Sequence, residues 1–378
     1  MGAREPAGRR GETVSAPGLA ARLVRHIHAH GPLTIAAYMA MTLHDPAAGY
    51  YATRQPLGAA GDFTTAPEIS QIFGELIGLW CADLWQRMGR PDPVLVAELG
   101  PGRGTLMADF LRAAAGVSGF RQAIRLYLVE ASPVLREEQR RRLAGADPVW
   151  VSSPDEVPEG PLLLVANEFL DALPIRQLVR GRRHWAERLV AADAADRLVF
   201  AEGPESPALS LLVTPDRRDA PPGTVVEICP AAAVLAAALA ERLARDLGAA
   251  LFIDYGYSSK IPGPTLSAIS GHRAAGILDA PGAADLSAHV DFSALAAAAR
   301  AGGAAIHGPA TQGDFFASLG AEARLAALLR RAAPAQRAPL EAGLKRLIDP
   351  AEMGTLFKAL AMMSPGLPAP AGFAENGA

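Results

Sequence analysis

The sequence is poor in cysteine, in long apolar runs and in net charge, and each shortage excludes a class of protein. Its two cysteines, Cys81 and Cys229, cannot build a disulfide framework and lack metal-ligand spacing, so the reducing cytosol is the simplest home. No window approaches the roughly 18 uninterrupted apolar residues of a spanning helix, and no membrane insertion is expected. The start, Met1–Pro17, is rich in Gly, Pro, Ala and Arg and has no apolar h-region, which argues against a secretory signal. Glu5 and Glu12 interrupt its arginines, against a transit peptide, and the segment reads as a disordered tail. A net charge of −3 gives no global attraction for nucleic acid, and none is expected as a partner.

Hydrophobic residues make up 50% of the 378 and charged residues 20%. That composition suits a well-buried core, and the length predicts one large α/β domain with appendages, or two domains. The chain is organised around residues 94–112. Val94–Ala97 is an apolar, β-rich run without helical period, which suits a strand buried on both faces. Gly100, Pro101, Gly102 and Gly104 follow, and Met107, Phe110 and Leu111 then recur at helical spacing, so the unit reads as strand, glycine turn, helix. Glycines at alternate positions let a ligand lie against the main chain. A dinucleotide fingerprint would need its third glycine where Thr105 stands, and a P-loop would need a lysine the turn lacks. The carboxylate of Glu98, just before the turn, would repel a pyrophosphate and suits an ammonium. An acidic residue followed by Gly-x-Gly-x-Gly resembles motif I of the class I S-adenosylmethionine (SAM) methyltransferases, whose cofactor carries an amino group and no phosphate.

A second strand is expected over Ile124–Val129, ending in Glu130, 26 residues beyond Gly104. A carboxylate at that tip can accept both hydroxyls of a ribose. A short third strand near Val149–Val151 would carry an adenine-contacting loop. The fourth, Leu162–Ala166, ends in Asn167-Glu168-Phe169-Leu170-Asp171-Ala172-Leu173-Pro174. Polar groups at the carboxyl end of a central strand face the ligand crevice of an open α/β sheet. Glu168 and Asp171, with the amide of Asn167, can hold a cationic or amide-bearing substrate there; alternatively Asn167 and Asp171 cap the following turn. A fifth strand ends in Asp254-Tyr255-Gly256, and a strand near Ala304–Ile306 closes the sheet.

Around this core the pattern predicts helices over Leu19–Ala29, Thr34–Leu43, Pro67 to about Met88, and Ser132–Leu143 with Ser132 as cap. His26, His28 and His30 alternate, which scatters them around a helix, and no metal site is expected. Gly61, Asp62, Phe63 and Thr64 are either a plain capping loop or a lid over the cofactor pocket. Residues 176–222 read as a β insertion with a linker-like end, and 258–290 as a long Gly- and Pro-rich connection, with Asp291 an N-cap beyond it. The expected organisation is a tail (1–17), a helical lid and substrate region (18–90), a cofactor-binding core (91–310), a helical C-terminal part (311–365) and a second tail (366–378).

Six blocks together, Gly49-Tyr50-Tyr51, residues 61–70, the Glu98–Gly104 turn, residues 167–174, Phe252–Gly256 and His289-Val290-Asp291-Phe292, resemble the MidA-like SAM-dependent methyltransferases over roughly residues 30–360. The resemblance implies a class I methyltransferase core, a mostly parallel seven-stranded sheet with helices on both faces. It implies SAM as cofactor, cradled by Gly100, Pro101, Gly102 and Gly104, with Glu98 on its amino group, Glu130 on its ribose, and Asp62 and Thr64 over it. Glu168, Asp171 and Asn167 become the substrate-orienting set. The eukaryotic members are mitochondrial complex I assembly factors that methylate protein arginine, so the resemblance implies symmetric dimethylation of an arginine on a respiratory NADH dehydrogenase subunit. The implied home is the bacterial cytoplasm, or the mitochondrial matrix in a eukaryote, and a homodimer is compatible with it. The run around Gly271-His272-Arg273 departs from the family's more basic pattern, which bears on substrate identity. Two rivals are a non-catalytic assembly factor that binds SAM for structure, and a nucleotide-dependent oxidoreductase built on the same sheet.

Overall fold

A computed structural model of the chain describes residues 18–53, 65–258 and 263–373. Asp62 and Thr64, with the rest of the expected lid and the tail at 1–17, lie outside the described residues.

The central sheet is built from β1 (Val94–Leu99), β2 (Ile124–Val129), β3 (Val149–Val151), β4 (Leu162–Asn167), β5 (Gly248–Tyr257), β6 (Ala305–Thr311) and β7 (Phe357–Met363). Their spatial order is β3-β2-β1-β4-β5-β7-β6. The first five pair in parallel, and β7 runs antiparallel to both β5 and β6. Val290–Asp291 adds a short parallel strand at the tip of β5, so the sheet has eight strands in all. Every residue of β1 and β4 is buried, as strands covered on both faces must be.

Two cores flank the sheet. On one face Val94, Val96, Leu163, Val165, Leu251 and Ile253 meet Phe73, Leu76, Phe110 and Phe316. On the other Leu95, Ala97, Leu162, Leu164 and Phe252 meet Leu239, Leu243 and Leu295. A third core joins the N-terminal helices Leu19–His30 and Ile35–His44 to residues from the insertion and from 266–288.

Several elements depart from the sequence reading. The expected helix over 67–88 is two helices, Ala66–Ile69 and Gln71–Arg87, because Ser70 is extended (φ −153°, ψ 130°) and its hydroxyl accepts from Ile72 N–H to cap the second. The insertion sheet extends to Val225–Ile228 and recruits Leu33–Thr34 as an edge strand. The linker-like stretch holds two 3₁₀ turns, Pro207–Leu212 and Pro215–Arg217. The connection at 258–290 contains a three-stranded sheet, Ser267–Ser270, Arg273–Ala275 and Asp285–Ser287. The C-terminal part is not wholly helical, since it ends in β7. Residues 366–373 are packed rather than loose: the Phe373 ring lies tilted against Phe315 at 5.1 Å and Trp80 N–H donates to the carbonyl of Ala371 at 3.0 Å.

Candidate active site

The site follows from strand parity. Successive side chains of a strand alternate between faces, so Glu98 shares a face with Val94 and Val96, Asn167 with Leu163 and Val165, and Tyr255 with Leu251 and Ile253. Glu130, just past β2, continues the parity of Leu126 and Leu128. Four polar residues therefore gather along the carboxyl edge of one face, the face covered by Gln71–Arg87 and α1 (Thr105–Ala114).

The glycine turn links β1 to α1. Gly100, Gly102 and Gly104 have φ of +62°, +52° and +76°, the left-handed region that costs glycine nothing. Gly104 is the N-cap of α1. A Cβ at Gly100 would stand 3.0 Å from a ring carbon of Phe169, so the turn and the loop after β4 approach as closely as side chains allow. Thr105, where a dinucleotide site has glycine, has its hydroxyl engaged by Glu68. Arg103 reaches from the turn to Glu68 at 3.4 Å and to Glu138 at 2.6 Å.

Glu98 is 3% exposed. Burial, and the Glu130 carboxylate behind it, push its pKa up to about 8, and its Oε2 has no hydrogen-bond partner among the described residues. Such an orphaned buried acceptor is rare unless something else satisfies it. Glu130 is also buried, which raises its pKa, while Ser132 N–H (2.8 Å, on Oε1) and the amide of Gln139 (3.2 Å, on Oε2) oppose the rise. The turn's open main chain, the orphaned oxygen of Glu98 and the acid at the tip of β2 fit a ligand that presents an ammonium and a diol and no phosphate.

The second half of the site is the loop after β4. Glu168 is a non-glycine residue at φ +48°, a strained conformation that persists only when its surroundings impose it. Here Asp254 imposes it. Asp254, 1% exposed at the end of β5, accepts the backbone N–H groups of Phe169, Leu170 and Asp171 on one oxygen, at 3.2, 2.9 and 3.2 Å, and that of Tyr255 on the other. The next residue on β5, Tyr255, donates its hydroxyl to Asp171 Oδ2 at 2.5 Å. Glu168 Oε1 accepts from Ala66 N–H at 3.0 Å and from the amide of Asn167 at 3.1 Å. Desolvation, with Asp171 adding to it, raises the Glu168 pKa to about 7 despite those donors. Burial likewise raises Asp171, against the Tyr255 hydroxyl. Asp171 Oδ1 and Asn167 Oδ1 are buried without a partner among the described residues. Asp254 holds the turn through three successive amides, and Asn167 and Asp171 each keep one such acceptor atom.

The structure brings Glu98, the glycine turn, Glu130, Asn167, Glu168 and Asp171 to one edge of the sheet. The histidines of the first helix stand apart: His26 and His30 stack at 4.5 Å, and His28 contacts Asp196 at 2.8 Å. Sequence reasoning missed Gln139. Its signal was there, since it follows Leu135 and precedes Leu143 at four-residue intervals, a polar residue on the apolar stripe of its helix.

A profile of the family described as "Putative S-adenosyl-L-methionine-dependent methyltransferase" matches residues 76–310. The chain is 37% identical to the protein arginine methyltransferase NDUFAF7, mitochondrial, of Danio rerio, over 90% of this chain and 86% of that one. It is 38% identical to the Drosophila melanogaster homolog of that protein, also mitochondrial by name, over 92% and 85%. A crystal structure of a Burkholderia thailandensis protein bound to S-adenosyl-homocysteine superposes with a TM-score of 0.82 at 31% identity, covering 95% of each chain. No helix among the described residues is long and apolar enough to cross a membrane. With most of its length matched by relatives of this kind, the chain belongs to the family of S-adenosyl-L-methionine-dependent methyltransferases.

Proposed function

We propose that the protein transfers the SAM methyl group to a guanidino nitrogen of an arginine in a protein substrate. The observation that carries this is the set of buried acceptors with no donor among the described residues, Asn167 Oδ1 and Asp171 Oδ1 beside Glu168. A guanidinium presents five N–H donors in a planar fork, which such a set can take in bidentate fashion. The names of the relatives above agree with that acceptor.

Glu98 would order the amino group of the cofactor, Gly100, Pro101, Gly102 and Gly104 its methionine portion, and Glu130 its ribose. The cofactor supplies a methyl carbon made electrophilic by the sulfonium. Asn167, Glu168 and Asp171 hold the acceptor nitrogen on the far side of that carbon, since displacement proceeds in line. As a nitrogen–carbon bond forms and the sulfur–carbon bond breaks, a cationic guanidinium becomes a cationic methylguanidinium and one proton leaves. Glu168, poised near neutrality, takes that proton. Ala66 brings the segment after residue 64 onto Glu168 and so closes this side of the site. Residues 18–90 serve as lid and substrate platform and 91–310 as the cofactor-binding core, with the 176–222 insertion and the segment beyond 310 completing the fold.

The resemblance in the sequence favours a respiratory NADH dehydrogenase subunit as substrate, symmetric dimethylation, and the bacterial cytoplasm or a mitochondrial matrix as compartment, with a homodimer compatible. Incubation with labelled SAM and whole lysate, followed by mass spectrometry of the labelled protein, tests the proposal. Label on arginine is the expected result. Label on another residue type overturns the acceptor, and no label with SAM bound favours a non-catalytic assembly role.

A further inference from the structure

Gln139 is fully buried on α2 (Pro133–Arg142), a helix whose exposed face carries Glu137, Arg140, Arg141 and Arg142. Its single amide bonds to three separate parts of the cofactor-binding half. Nε2 donates to the carbonyl of Gly102 in the glycine turn at 2.7 Å and to Glu130 Oε2 at the tip of β2 at 3.2 Å. Oε1 accepts the indole N–H of Trp150 on β3 at 2.8 Å. No hydrophobic residue of that size satisfies the three groups, and a carboxylate there would repel Glu130 while losing both donors. The turn is also packed on this side chain: a Cβ at Gly104 would lie 3.4 Å from Gln139 Cγ.

We propose that Gln139 is a positioning residue for cofactor binding, which fixes Glu130 Oε2 relative to the glycine turn so that the carboxylate meets the ribose already oriented. This rests on Glu130 as the ribose acceptor. Glu130 Oε1 is held by its own loop through Ser132 N–H, so Gln139 is the tie between that acid and the turn that would hold the other end of the cofactor. One amide proton reaches the turn and the other the acid, so the spacing of the two is set by the geometry of a single planar group. Trp150, in turn, fixes which way that amide faces, because an indole N–H can only donate.

The test is a double-mutant cycle read by calorimetry with S-adenosylhomocysteine on the full chain. Gln139→Leu is expected to weaken binding about tenfold, the loss of a hydrogen bond that orders a charged group. In a Glu130→Ala background the same change should have little further effect, since the acceptor it orders is gone. The Gln139→Leu penalty should also vanish for the 2′,3′-dideoxyribosyl analogue of the ligand, which offers Glu130 no hydroxyl, an outcome that a general loosening of the fold would not produce. Should Gln139→Leu fail to fold, Trp150→Phe releases only the bond to Oε1 and is expected to weaken binding about threefold. Equal penalties for Gln139→Leu in both backgrounds, or for both ligands, overturn the inference while leaving Glu130 in place. Unchanged affinity in Glu130→Ala overturns the ribose assignment itself, whatever Gln139 does.

Discussion

Glu98 is a carboxylate kept where a carboxylate is expensive, and that cost should be measurable without any substrate. Its pKa in the folded protein, about 8, lies above the ordinary value of 4.5, so folding disfavours its charged form. Stability from this group is full below the unfolded pKa and is lost as pH rises towards 8. Glu98→Gln should therefore be more stable than the parent without ligand, by a margin that opens between pH 4.5 and 8 and reaches the order of 4 kcal/mol. The same variant should bind SAM more weakly, having lost the partner of its ammonium. Melting curves across that pH range check the first claim, and a margin that does not change with pH removes the account of Glu98. Glu168 carries a second titration. With a pKa near 7, its proton-accepting form is lost as pH falls, so kcat/KM should show an acid limb near pH 7. Glu168→Gln should keep cofactor binding and abolish transfer. A limb centred below pH 5, or full activity in the variant, would show that Glu168 takes no proton.

At the scale of elements, the loop after β4 and the end of β5 form one unit, because Asp254 gathers three successive amides that no strand pairing can reach. Asp254→Asn keeps one acceptor oxygen but loses the charge that attracts those amides. It is expected to cost about 1–3 kcal/mol of stability and to lower transfer more than tenfold, with S-adenosylhomocysteine affinity nearly unchanged, since the glycine turn and Glu130 are built by other strands. Titration calorimetry alongside a transfer assay separates the two effects, and equal losses in both would mean that the loop also supports the cofactor. Much of this unit was legible in the sequence. Val94–Leu99 and Leu162–Asn167 are too short and too uniformly apolar for helices, and the residues ending each strand are polar, which fixes the carboxyl edge as the site. What was not legible depends on pairing. The apolar stretch 353–363 gives no sign that it inserts antiparallel between β5 and β6, nor does Ser70 announce that it interrupts a helix whose flanks are apolar on both sides. Gln139 stands out in the sequence as a polar residue on an apolar stripe, but its partners appear only when three strands' ends converge on it.

Across the whole molecule, the buried Arg217–Asp291 pair at 2.6 Å ties the insertion to the core, and Asp291 also caps the helix Phe292–Ala301 as expected. The third core lies apart from the two that flank the sheet, whereas the cofactor half draws β1, β2, β3 and β4 together through the glycine turn, Glu130, Gln139 and the loop after β4. A ligand seated there should stabilise the sheet as a unit. At a hundredfold excess over Kd, binding to the folded state alone adds about 2.7 kcal/mol, so S-adenosylhomocysteine should raise Tm by about 3 °C in a chain of this size. NAD at the same concentration should leave Tm unchanged. Its pyrophosphate would have to lie on a turn with Thr105 at the third glycine position and the orphaned carboxylate of Glu98 just before the turn. Thermal denaturation with each ligand in turn decides between them. Equal shifts with both would mean that the turn does not discriminate against phosphate, and the assignment of Glu98 to an ammonium would fail with it.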